Sequence, residues 1–245
     1  MNSHIYTQYQ PLRILKIGMD PSTGCMIDEA LDSQFIEIKS VCSLGAATVL
    51  RDPQWHCWIL DPDAEEFPQC LSLMHDNKRF PYIIVISGMH NMRLSFRAAQ
   101  LGVLDVFDKS PAFPLDEVID SVFRTTALSY LFNGTSAGHM PVFLALKNNL
   151  FKSASEWAFH QSISLRYLER LCIKHFGLSP RYILPLYYNM VASIYASSPC
   201  TNIRLFKRLY SFSDRKFFHF CRRFVSHRCS LKHPLMLYEP SANAV

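Results

Sequence analysis

Five short apolar runs alternate with segments of helical length and polarity between residues 12 and 132, and this alternation limits the available folds more than any other feature. A continuous run such as Tyr82-Ile-Ile-Val-Ile86 is typical of parallel strands buried on both faces. The sequence therefore predicts a doubly wound α/β domain with a five-stranded parallel sheet. The predicted strands are residues 13–18, 35–41, 56–61, 82–87 and 105–109, and the predicted helices include 65–77, 92–101 and 115–131.

Polar residues stand where three of the predicted strands end. Asp61, Ser87 and Lys109 follow buried runs, and functional groups of such sheets gather at the carboxyl ends of the strands. About half of the chain thereby resembles the receiver domain of bacterial response regulators. The best-matching segments are Trp58-Ile-Leu-Asp61, Ile86-Ser-Gly88, Ala98-Ala-Gln-Leu-Gly102 and Val106-Phe-Asp-Lys-Ser-Pro111.

The resemblance implies a role for each of these residues. Asp61 would accept a phosphoryl group, Ser87 would hydrogen-bond it, and Lys109 would pair with its charge. Phe107 would be the aromatic switch that follows Ser87. In a phosphorylation-controlled regulator of a two-component system, Ser87 and Phe107 would carry the signal to the face formed by the helices at 92–101 and 115–131.

The sequence departs from that family at the metal site. A receiver supplies two adjacent carboxylates after its first strand, whereas this chain has Gly18-Met19 and then Asp20. Mg²⁺ requires oxygen ligands in near-octahedral geometry, so a missing carboxylate weakens the site. We therefore expect a degenerate receiver-like domain at residues 11–132 that serves for docking or dimerisation and needs no cofactor. The alternative is an Asp61 phosphoacceptor with Mg²⁺ held by Asp20 and Asp61.

Charge divides the chain into two unlike parts. Residues 141–245 carry 15 Lys and Arg against four Asp and Glu, a formal net charge of +11. The first 140 residues carry 10 basic and 16 acidic residues, a net charge of −6. This asymmetry indicates a polyanion-binding module joined to a module of another kind. The polar stretch at residues 133–140 is the predicted linker between them.

A helix, a tight turn and a second helix are predicted near the start of the basic part. Ser155-Glu-Trp-Ala158 belongs to the first helix, Ser164 caps the second, Gly177 ends it and Pro180 begins the next. A short helix pair that presents Arg from its second member is how a helix-turn-helix enters the major groove of DNA. The outward residues of the second helix are Arg166, Glu169 and Arg170.

These residues, and those that follow, resemble the DNA-binding unit of the AraC/XylS family over residues 141–235. That unit holds two helix-turn-helix elements joined by a long helix, here residues 180–196 with Pro185 inside it. Ser211-Phe-Ser-Asp214 and Phe220-Cys-Arg-Arg-Phe224 resemble motifs of the second element. By this resemblance, two recognition helices about 34 Å apart would meet successive turns of the major groove. The second would present Arg215, Lys216 and Arg222.

The sequence therefore predicts a bacterial transcription regulator that binds double-stranded promoter DNA, with a tail at residues 236–245. A protein-interaction module that has lost DNA binding remains an alternative. We expect no enzyme, because the chain lacks a nucleophile elbow, a phosphate-cradling glycine loop and a metal-ligand cluster. Eight cysteines without a C-x-x-C pair, and no secretory pattern, indicate a cytoplasmic protein without a membrane span. RNA polymerase, a sensor kinase, another regulatory protein and a second copy of the chain remain open as partners.

Overall fold

A single parallel sheet organises the first half of the protein. The structure, a computed structural model, describes residues 11–32, 36–41, 55–61, 82–88, 103–109, 112–132 and 140–197. Within these ranges five strands lie in the order β2-β1-β3-β4-β5, all of them parallel. The predicted doubly wound sheet is thus confirmed. The strands are β1 (Leu12–Ile17), β2 (Ile36–Val41), β3 (Cys57–Leu60), β4 (Tyr82–Ser87) and β5 (Asp105–Asp108).

Burial explains why the strands were recognisable. Every residue of β3 is buried, and so is β4 apart from Tyr82, because both lie inside the sheet. Strand β2 lies at the edge and alternates half-buried Ile36 and Ile38 with exposed Glu37 and Lys39. Continuous apolar runs therefore mark β3 and β4, and alternation marks β2.

Helix α1 (Pro21–Leu31) and helix α2 (Leu115–Phe132) cover the sheet. α1 buries Ile27 and Leu31, and α2 buries Val118 and Val122 in the same core. The helix predicted at 115–131 is therefore observed with its end shifted by one residue. The helices predicted at 65–77 and 92–101 lie outside the described residues.

Four helices follow in the described part of the second half. They are α3 (Met140–Asn148), α4 (Ala154–His160), α5 (Leu165–Phe176) and α6 (Pro180–Ser197). α6 runs through Pro185 without interruption and ends one residue beyond the predicted joining helix. Of the predicted linker, residues 133–139 lie outside the described residues, and Met140 is the first residue of α3. The second helix-turn-helix element also lies outside them.

Helix α2 joins the two halves, because it packs against strands of the sheet and also against α6 and α3. Phe123 of α2 meets Tyr195 of α6 edge-on, with ring centroids 5.0 Å apart. Phe143 of α3 and Tyr187 of α6 are fully buried in the same cluster as Ile14 of β1. The two halves therefore share one continuous hydrophobic core.

Polar groups are buried in this shared interface as well. Lys147 of α3 is only 3% exposed and forms an ion pair with Asp105, the first residue of β5. The hydroxyl of Ser121 donates to the same carboxylate oxygen of Asp105. Burial lowers the pKa of Lys147, and the neighbouring charge of Asp105 partly opposes that shift. The pair thus joins the helical half to the sheet by a contact between residues far apart in the sequence.

We expect Lys147→Ala to lower the free energy of unfolding by about 2–3 kcal/mol, because Asp105 would be left without its buried partner. Because the side chain of Asp105 is 29% exposed, we expect a smaller loss of unfolding free energy than for a fully buried ion pair. Urea unfolding followed by fluorescence measures it. Lys147→Met combined with Asp105→Asn should cost less than the two single changes together. Strictly additive losses, or separate unfolding of the two halves, would contradict this account of the interface.

Candidate functional site

Three charged residues meet at the carboxyl ends of the strands. Asp20 follows β1, Asp61 follows β3, and Lys109 follows β5. The ammonium of Lys109 forms an ion pair with Oδ2 of Asp61, which is 3% exposed, and lies 3.4 Å from Oδ2 of Asp20. The strand order changes direction between β1 and β3, and ligands of open α/β sheets bind at such a point.

Backbone hydrogen bonds position these residues. The N–H of Asp61 donates to the carbonyl of Ile17 at 3.0 Å, which extends the pairing of β3 with β1. The N–H of Lys109 donates to the carbonyl of Ser87 at 2.9 Å. Gly18 turns the chain away from β1 with φ 70°, a left-handed conformation that glycine adopts without strain. The sheet itself therefore brings the charged residues together.

Asp20 has a second task as the N-cap of α1. Its Oδ1 accepts hydrogen bonds from the N–H of Thr23 and the hydroxyl of Ser22, both at 2.9 Å. Partial burial acts to raise the pKa of this carboxyl. The hydrogen bonds from Thr23 and Ser22 and the charge of Lys109 outweigh burial, so the pKa of Asp20 lies well below its usual range.

Among the described residues at these strand ends, the oxygen donors do not fit Mg²⁺. The cap of α1 uses Oδ1 of Asp20, and the ammonium of Lys109 faces the Oδ2 atoms of both carboxylates. A divalent cation would have to share these oxygens with a positive charge, while Gly18 and Met19 offer no further carboxylate. Across the described ranges, no group of three His, Cys, Asp or Glu side chains is placed to hold a metal.

Ser87 and Phe107 lie on neighbouring strands beside this cluster. Ser87 is buried, and its hydroxyl donates to the carbonyl of Gly88 at 2.9 Å. Phe107 is partly buried against the core, and it pairs with Ile86 across β4 and β5. The structure thus gathers the strand-end residues that the sequence singled out, whereas their phosphoryl-contact roles stay predictions.

The predicted first helix-turn-helix element falls on α4 and α5. Ser164 caps α5 by accepting a hydrogen bond from the N–H of Tyr167 at 3.1 Å. Ser162 in the turn has φ 53°, and Gly177 ends α5 with φ 65° while its N–H donates to the carbonyl of Ile173. The caps that the sequence predicted therefore set both ends of the second helix.

Helix α5 has a buried apolar side and an outward charged side. Leu168, Leu171 and Cys172 are buried, whereas Arg166 and Arg170 are exposed and Glu169 is half-buried. The guanidinium of Arg170 lies 5.6 Å from the ring centroid of Tyr167, a cation–π distance that restrains its direction. The residues predicted for the second recognition helix, Arg215, Lys216 and Arg222, lie outside the described residues.

Two further cations flank the start of α5, and sequence reasoning missed them. Lys152 and Arg181 line an open pocket of about 380 Å³ together with Ser153 and Leu165. Lys152 precedes the N-cap of α4 and Arg181 is the second residue of α6. Basic residues at the starts of two adjacent helices were the sequence signal that could have identified them.

Among the described helices, none is both long and apolar enough for a membrane span.

Comparisons with known proteins find only distant structural similarity. No protein-family model matches the chain, and no curated protein matches it. Full-length FixJ from B. japonicum is 15% identical with a TM-score of 0.41, over 82% of this chain and 98% of that one. The response regulator DrrB from Thermotoga maritima is 14% identical with a TM-score of 0.39, over 70% and 90%.

A third similar structure is RcsB from Salmonella enterica serovar Typhimurium bound to promoter rprA. It is 15% identical with a TM-score of 0.35, over 71% of this chain and 97% of that one. At these values the likeness assigns no family. The resemblance to the AraC/XylS family is not confirmed by the comparisons and stays a prediction.

We expect Asp20→Ala to cost about 1 kcal/mol of stability at neutral pH, because α1 loses its cap. The pKa of Asp20 is lower in the folded protein than in the unfolded chain, so ionisation of its carboxylate stabilises the fold. This stabilisation is complete above about pH 4, the ordinary pKa of an aspartate, and is lost as the pH falls below that value. Asp20→Ser keeps a capping oxygen without the charge and should lose less stability than the wild type on acidification. Urea unfolding at pH 7 and pH 3 measures both effects. Equal acid sensitivity in wild type and Asp20→Ser would contradict the charge assignment.

Proposed function

We propose that the protein is a sequence-specific DNA-binding transcription regulator with a double helix-turn-helix of the AraC type. The observation that carries the proposal is α5, a helix capped at both ends that exposes Arg166 and Arg170 opposite a buried side. It lies in a part of the chain with a net charge of +11. Such a helix presents to the major groove the residues that read base edges.

The outward groups of α5 and the cations beside it have separate chemical tasks in this function. Arg166 and Arg170 suit the paired acceptors of guanine, and Glu169 can accept a hydrogen bond from cytosine. Lys152 and Arg181, beside the first turn of α5, suit contacts with phosphates on either side of the groove. Arg215, Lys216 and Arg222 would read a second groove segment. Bound at a promoter, the protein would contact RNA polymerase or exclude it.

The receiver-like half acts in this proposal as a docking and signal-input module. Helix α2, whose predicted counterpart at 115–131 belongs to the face that would receive the signal, packs between the sheet and the helices α3 and α6. Docking within one chain therefore uses much of the surface of α2. A partner protein or a second copy would act on the remaining surface of this half.

We expect Arg170→Ala to weaken binding to a specific site by about 1–3 kcal/mol, because a base contact is lost. Fluorescence anisotropy over a range of salt concentrations measures the effect, and the logarithm of the binding constant should fall linearly with the logarithm of salt. Lys39→Ala, an exposed cation of the acidic half, is the matched control and should bind as the wild type does. An equal loss on random DNA would make Arg170 a phosphate contact. Salt-insensitive partner binding without DNA retention would favour the interaction-module alternative.

Control by phosphorylation is the second candidate, and the buried Asp61 beside Lys109 favours it. Because the donor set suits Mg²⁺ poorly, we expect acetyl phosphate with Mg²⁺ to leave wild type and Asp61→Asn equally unlabelled. Phosphate-affinity electrophoresis measures the labelled fraction, with Asp108→Asn as a control for a nearby carboxylate. Robust labelling that requires Asp61 and survives Asp108→Asn would establish a phosphorylated regulator instead.

A further inference from the structure

The outward side of α5 carries an aliphatic residue among its cations. Ile173 is 56% exposed. Arg170, three residues before it, and Lys174, the next residue, are exposed as well. Steps of four and three residues lead from Arg166 to Arg170 to Ile173, which places the three side chains on one line along the helix. The line that would enter the groove therefore ends in an apolar side chain.

We propose that Ile173 contacts the C5-methyl group of a thymine when α5 lies in the major groove, a reading contact that rests on the DNA-binding function proposed above. Base pairs display that methyl in the major groove, and aliphatic side chains contact it. The neighbouring cations Arg170 and Lys174 indicate that the binding partner is a polyanion. An apolar protein surface would remove water from these cations without supplying an opposite charge. DNA offers phosphates and base edges to the cations and a thymine methyl group to Ile173.

Helix geometry restricts where this thymine stands. Three residues of helix separate Arg170 from Ile173, which is about 4.5 Å along the axis. Base steps are about 3.4 Å apart, so the thymine lies one or two steps from the guanine that Arg170 reads. Ile173 is β-branched and holds one preferred rotamer in a helix, so its methyl groups keep a fixed place relative to Arg170. The contact therefore specifies a base position that no arginine of this helix reads.

Replacement of thymine by deoxyuridine removes the methyl group alone and tests the contact. The full chain first selects its sites from a random duplex pool, and each thymine of the selected site is then replaced in turn. We expect one position at which uracil weakens wild-type binding about fourfold, the factor for one methyl group removed from contact. Ile173→Ala and Ile173→Gln should bind the thymine and uracil sites equally. Phe159→Ala, which removes an exposed apolar side chain of α4, should keep the wild-type loss.

The outcomes separate this contact from DNA binding itself. Selective binding without a uracil-sensitive position, or sensitivity that persists in both Ile173 variants, overturns the thymine contact and leaves the DNA-binding function standing. Enrichment of no sequence by the wild-type chain overturns the DNA-binding function, and the thymine contact with it.

Discussion

The packing of α2 between the sheet and the helical half is the interaction on which the rest of the structure depends. Val118 and Val122 belong to the core around the sheet, while Phe123 meets Tyr195 of α6. A helix that buries apolar surface in two directions cannot leave one neighbour without exposing that surface to water. The helices of the second half, which include the predicted helix-turn-helix pair α4 and α5, are therefore held against the α/β half by a packed interface.

Apolar packing alone would permit several orientations, and the Lys147–Asp105 pair selects among them. An arrangement that shifts α3 along α2 would bury the ammonium of Lys147 away from Asp105, at a cost of several kcal/mol. Within the α/β half, the hydroxyl of Ser121 on α2 donates to the same carboxylate oxygen and so holds Asp105 in place for Lys147. The hydroxyl of Tyr195 adds a second polar contact with Asp120 of α2. These contacts favour one relative position of the halves.

Local sequence patterns predicted the strands and helices, but they did not predict the contacts between residues far apart in the sequence. Strands β3 and β4 were recognisable because burial on both faces leaves a continuous apolar run, and Ser164 and Gly177 mark helix ends through their own backbone preferences. The carboxyl-end rule brought Asp61 and Lys109 together from sequence alone. The cap formed by Asp20 and the partner of Lys147 were not foreseen. The latter contact joins residues 42 positions apart, and no local periodicity encodes such a pairing.

Strand β5 connects the carboxylate cluster with the interface between the halves. Its first residue, Asp105, is held by Lys147, and the residue after its end, Lys109, is held by Asp61. Both ends of this four-residue strand thus lie beside ion pairs, one with Asp61 at the end of β3 and one with Lys147 of α3. In the proposed function, a change of charge at Asp61 acts on one end of a strand whose other end holds the helical half. Whether the source of that change is phosphorylation or a bound partner, it would act first on the ion pair of Lys109 with Asp61, at the opposite end of β5 from Asp105.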